Sequence, residues 1–123
     1  MRKIETMMIR DNYLEIDYRD KPVLKLTIEF ENGYKITYPL SSAKGIRSRA
    51  LAIVRLFDIL EIKRSFELLG KEVRLLRIKN EDGHWKTIAI GHVTKDRFMP
   101  LYRGDCTCEL ETVYEKILSG NTW

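Results

Sequence analysis

The sequence predicts an α+β domain, an antiparallel sheet of about five to six strands covered by a central amphipathic helix and a C-terminal helix. Three observations carry that prediction. Apolar and polar residues alternate through the first forty positions. Two later runs repeat their apolar residues at helical spacing. Between those runs, residues 72–93 read as a second hairpin.

The first forty residues read as a four-stranded meander. Asp11-Asn12 separates the apolar run Met7 to Ile9 from Tyr13 to Tyr18. In the latter, Leu14, Ile16 and Tyr18 alternate with Glu15 and Asp17, the pattern of a half-buried strand. Asp20-Lys21-Pro22 is turn chemistry, because proline fixes φ and has no N–H to give a ladder. Leu24, Leu26, Ile28 and Phe30 then share one face of a strand. Asn32-Gly33 supplies residues that tolerate positive φ in a tight hairpin turn. Tyr34 to Leu40 returns, with Ile36, Tyr38 and Leu40 on one face.

A helix follows, capped by Ser41 or Ser42. Its apolar stripe is read from Ile46, Ala50, Ile53, Val54, Phe57 and Leu60, with Lys44, Arg47, Ser48, Arg55 and Asp58 opposite. Ser65 opens a short helical turn that Gly70 stops. The second hairpin runs from Glu72 to Lys79 and from Trp85 to Val93, turning at Glu81-Asp82-Gly83. Both of its faces carry apolar residues, so part of it is expected to be covered on two sides. Leu110, Val113, Tyr114, Ile117 and Leu118 predict the last helix, closed by Gly120.

A chain of 123 residues, 44% hydrophobic and 33% charged, is expected to form one domain over residues 1–123 with its own core. Its most apolar stretch, Ala50 to Leu60, is broken by Arg55 and Asp58 and is far shorter than the roughly 20 residues a bilayer needs. The N-terminus lacks the apolar core and cleavage site of a secretory leader, so a cytoplasmic protein without membrane contact is expected. The net charge of +4 is unevenly spread. Residues 41–103 hold fourteen basic and seven acidic side chains, and residues 104–123 hold one and four. A positive middle can attract nucleic acid, nucleotides or an acidic protein surface.

Catalytic signatures are missing: there is no G-x-S-x-G, no Walker A, no G-x-G-x-x-G and no H-E-x-x-H. No enzyme and no cofactor are expected. Cys106 and Cys108 form a lone Cys-x-Cys, and His84 and His92 do not stand at zinc-site spacing from them. Two reduced thiols are the expectation.

The best candidate site lies at the far end of the second hairpin. If Leu76 faces Ile90 and Ile78 faces Ile88, Arg74 lies opposite His92 on one sheet face. The four apolar residues then form one buried patch. Lys71, Lys95, Asp96 and Arg97 are close in sequence to that end. Asp96 is placed to orient His92, and Arg74 to bind an anion. Lys44, Arg47 and Arg55 on the first helix extend this basic surface. Tyr34, Tyr38, Trp85, Phe98 and Tyr102 stand among Lys35, Lys86, Arg97 and Arg103, the mixture a single-stranded nucleic acid uses for stacking and charge.

Within Leu68 to Phe98 and just before it, Phe66, Leu69, Gly70, Lys71, Val73, Arg74, Ile90, Gly91, His92, Lys95, Asp96 and Phe98 follow a recognisable order. The segment resembles small phage-encoded proteins of unknown function that carry G-K-x-V-R followed by I-G-H-x-x-K-D-x-W/F. The resemblance covers about half the chain, and Arg97 stands where that family has tryptophan. It implies phage origin and a host cytoplasm rather than a chemistry. Phage proteins of this size without catalytic motifs often bind a host protein stoichiometrically. The resemblance therefore implies an anti-CRISPR-like inhibitor of a host protein or ribonucleoprotein complex. The alternative partner is nucleic acid or a nucleotide, bound directly by the basic middle segment.

Overall fold

The computed structural model describes residues 1–18, 22–40, 46–101 and 107–119. The chain runs β1 (Arg2–Tyr18), β2 (Pro22–Phe30), β3 (Lys35–Pro39), α1 (Ile46–Leu60), a 3-10 turn (Ser65–Leu68), β4 (Glu72–Lys79), β5 (Trp85–Gly91), β6 (Phe98–Pro100) and α2 (Leu110–Leu118). The strands form one antiparallel sheet in the order β3-β2-β1-β4-β5-β6. The fold is α+β, as the alternation and helical spacing predict.

Asp11-Asn12 is not a turn. β1 continues through it for 17 residues, and the irregularity is a bulge at Arg10, where Ile9 faces Phe30 and Asp11 already faces Glu29. One extra residue bends a strand without ending it, so the expected meander has three strands instead of four. The two hairpin loops behave as read. Gly33 and Gly83 take φ of 88° and 81°, where a side chain would be strained, and close the Phe30–Tyr34 and Asn80–His84 backbone bonds.

Successive strand residues point to opposite faces, and both faces are covered over β4–β6. Leu75, Ile90 and Met99 join the main core under α1, with Ile9, Ile28, Phe30, Ile36, Tyr38, Leu56 and Ile59. Their neighbours Leu76, Ala89 and Phe98 form a second, smaller core with Val113 under α2. The helices therefore lie on opposite sides of the sheet.

The packed side of α1 differs from the expected stripe. Ala52, Leu56, Ile59 and Leu60 are buried and Ile53 and Phe57 half-buried, while Ala50 and Val54 are exposed. Ala50 to Leu60 is apolar almost all round, so two overlapping stripes fit it and only packing selects one. The proposed caps Ser41 and Ser42 and the stop at Gly120 fall outside the described residues. Among the described residues, no helix is long and apolar enough to cross a membrane.

The expected register of the second hairpin is overturned. Arg74 pairs with Gly91, Leu75 with Ile90 and Leu76 with Ala89. A second bulge leaves Ile88 unpaired, and Ile78 then faces Lys86. The single patch of Leu76, Ile78, Ile88 and Ile90 does not exist. Leu76 and Ile90 are buried on opposite faces, and Ile78 and Ile88 are half-buried.

Candidate functional site

The β5–β6 connection, residues 92–97, is a tight loop closed by His92 N–H to the Arg97 carbonyl (3.0 Å) and Arg97 N–H to the Lys95 carbonyl (2.8 Å). Arg74 holds it from below. Its Nε donates to the His92 carbonyl and its Nη2 to the Lys95 carbonyl, both at 2.7 Å. The guanidinium lies 4.9 Å from the centre of the Phe98 ring, a cation–π contact. Arg74 thus shares a face with Gly91 and Phe98, and the His92 imidazole projects to the other face, towards the end of α1. The two side chains do not form the expected cross-strand pair, because the register is displaced by one residue.

The imidazole is itself a fastener. Its Nδ1 accepts N–H bonds from Thr94 (3.1 Å) and Lys95 (3.0 Å), which places the ring proton on Nε2. Nε2 stands 3.5 Å from the Glu61 carboxylate. The residue expected to orient His92, Asp96, instead accepts the Leu110 N–H at 2.8 Å and caps the start of α2. Glu61 takes the orienting position, and nothing in its sequence context marks it. It sits just past α1 with φ of 58°, a left-handed conformation usually given to glycine at a helix end. Bonds from Glu61 N–H to the Asp58 carbonyl (3.1 Å) and from Ile62 N–H to the Phe57 carbonyl (3.0 Å) close the helix there.

Every cation of this loop is engaged. Lys95 pairs with Glu61, and Arg97 donates to Asp58 at 2.9 Å. The Lys95 hydrogen bond, then its charge, holds the Glu61 carboxyl below the usual range, with His92 and Arg97 adding to the effect. Burial lowers the affinity of His92 for a second proton. Glu61 opposes that shift, and Lys95, Arg74 and Arg97 add to it. Of the other residues expected at the site, Lys71 lies just before β4, near Glu67, and Arg55 is exposed on α1. Lys44 and the Arg47 side chain lie outside the described residues, as do Tyr102, Arg103 and Cys106. Tyr38 and Phe98 are fully buried and offer no stacking surface. Tyr34 and Trp85 are half-buried under Arg77 and Lys3.

Beside the loop is a shallow groove of about 590 Å³ lined by Val54, Phe57, Asp58, Glu61, Ile62, Lys63 and Arg97. Val54, Phe57 and Ile62 are its apolar lining, and Asp58 and Glu61, the partners of Arg97 and Lys95, are part of its polar lining. Val54 is 59% exposed. Among the described residues, no cluster of His, Cys, Asp and Glu can hold a metal ion.

The state of His92 has a pH signature. The folded chain binds its second proton more weakly than the unfolded chain, whose imidazole titrates near the ordinary 6.5. The contribution of His92 is thus fully present above about 6.5 and is lost as pH falls below that value. Thermal melts will show this loss above the range where carboxylates titrate. His92→Asn, which keeps an acceptor near the Nδ1 position and does not titrate, will flatten it. Parallel curves for the two proteins would show that His92 is not the responsible group.

No protein-family model, curated protein or solved structure matches the chain.

Proposed function

We propose that this chain is a non-enzymatic binding protein that engages a protein surface through the groove at the end of α1. We further propose that its partner is a host nucleic-acid-handling complex, in the manner of an anti-CRISPR inhibitor from a phage, a part of the reading that rests on the sequence resemblance alone. The observation that carries the binding role is the groove itself. Exposed Val54 and half-buried Phe57 beside the Asp58–Arg97 and Glu61–Lys95 charge pairs combine the apolar and polar groups that a protein interface uses. The proposed test is affinity capture from a bacterial lysate at physiological salt, beside a plaque assay for relief of CRISPR interference. Val54→Glu places a charge in the apolar lining of the groove without touching the core, so it will abolish capture and relief. Glu81→Lys in the exposed β4–β5 turn will leave both unchanged. Equal capture by all three proteins, or none by the parent, would overturn the assignment.

The second reading is direct binding of nucleic acid or a nucleotide through Arg74, His92, Lys95 and Arg97. The engaged state of these cations counts against it, since a phosphate would have to displace Asp58, Glu61 or two backbone carbonyls. Phosphate binding is steeply salt-dependent. Fluorescence anisotropy with single- and double-stranded oligonucleotides at low salt is therefore expected to show no saturable binding. Saturable binding that weakens with salt would reverse the order of the two readings.

A further inference from the structure

Among the described residues, the second half of β1 has a partner strand on one side only. β4 pairs with β1 from Arg2 to Met8, and Ile9 makes the last bonds on that side, to Gly70 and Lys71. Beyond the bulge, residues 11–18 pair with β2 alone among the described strands. Alternate N–H and C=O groups of this stretch point away from β2 with no described strand to meet them. The apolar side chains here are exposed as well. The sequence pattern predicts a half-buried face, yet Leu14 is 63% exposed and Ile16 49%. The 3-10 turn packs against β1, and its Phe66 and the following Leu69 are exposed too.

Charge divides the two faces of this edge. Asp11, Glu15 and Asp17 share one face, and Leu14, Ile16 and Tyr18 share the other. Residues 11–18 contain three acids and no base, in a chain of net charge +4. Lys25 is shared by Glu15 and Asp17, at 3.5 Å and 3.9 Å.

That pattern selects the occupant. A second copy adding its own edge about a two-fold axis must pair residues of the same face. Each such register that overlaps five residues or more sets acid against acid: Glu15 on Glu15, Glu15 on Asp17, Asp11 on Asp17, or Asp11 on Glu15. Like charges directly opposed in a sheet are destabilising. A strand alternating basic and apolar residues meets no such conflict. Its cations face the three carboxylates, its apolar residues cover Leu14 and Ile16, and its backbone fills the open ladder.

We propose that residues 11–18 of β1 are a docking edge for an extended basic segment of a partner protein, added as a seventh strand of the sheet. The surface lies on different elements from the α1 groove and stands or falls separately from it. The test uses the full chain and a short synthetic peptide alternating valine with lysine. Isothermal titration is expected to give one-to-one binding that weakens with salt. A peptide of the same composition with its lysines and valines in separate blocks will bind at least about tenfold more weakly. N-methylation of alternate peptide bonds, which removes strand donors and leaves the protein untouched, will abolish binding. Glu15→Lys will weaken it by about tenfold, and Val54→Glu in the groove will not change it. Equal binding of the blocked or N-methylated peptide would overturn the proposal. So would sedimentation showing that the free protein is a dimer whose dissociation follows Leu14→Lys, because the edge would then belong to a second copy.

Discussion

Phe98→Ala is expected to cost about 3–5 kcal/mol of folding stability, the largest loss we anticipate for a single side chain. The ring is fully buried at the centre of the second core, against Leu76, Ala89 and Val113. Its backbone joins β5 through Gly91 on one side and Cys108 on the other, with bonds of 2.7 and 2.9 Å to Cys108. Arg74 rests on the ring while it holds the 92–97 loop, so the truncation also loosens that loop. Urea unfolding against Phe66→Ala is the measurement. Phe66 is 67% exposed, and its truncation will change stability little. Similar losses in the two variants would mean that the α2 side of the sheet contributes no packing energy.

Gly91→Ala is expected to be the next most damaging change, at about 1–3 kcal/mol. The φ of Gly91 does not call for glycine; the Phe98 ring does. A Cβ at position 91 would overlap that ring, which is fully buried and has no room to move away. The cause can be isolated in a double-mutant cycle. In the Phe98→Ala background the added methyl enters vacated space, so the penalty of Gly91→Ala will fall towards zero or reverse. Additive losses would show that the obstacle is not the ring.

These two residues mark a limit of what the sequence displays. Strand and helix periodicities are local, so β2, β3, β4, β5 and α2 could all be read from them. Register is not local. The bulges at Arg10 and Ile88 leave no mark in composition, and the register that results sets Arg74 opposite Gly91 instead of His92. β6 is three residues long, too short for any alternation to show, so the strand carrying Phe98 was not foreseen. The basic residues around His92 were visible, but their neutralisation was not. Asp58 and Glu61 come from a helix far away in sequence and look like ordinary solvated acids there. Val54 belongs to the expected apolar stripe, and its place in the groove lining depends on which side of a nearly uniform apolar helix meets the sheet.

β1 belongs to two ladders, and its partners are synthesised at very different times. β2 follows it across a short connection, whereas Arg2 to Met8 must wait for residues 72–78. While the chain emerges from a ribosome, the β1–β2–β3 unit can assemble early with its whole β4-side edge open. Closing that edge is a long-range event, slow by loop entropy and hazardous while exposed strand edges can find other chains. β1 is therefore enclosed on its β4 side only after residues 72–78 have been made, and translation that halts before residue 72 would leave a nascent sheet prone to aggregate.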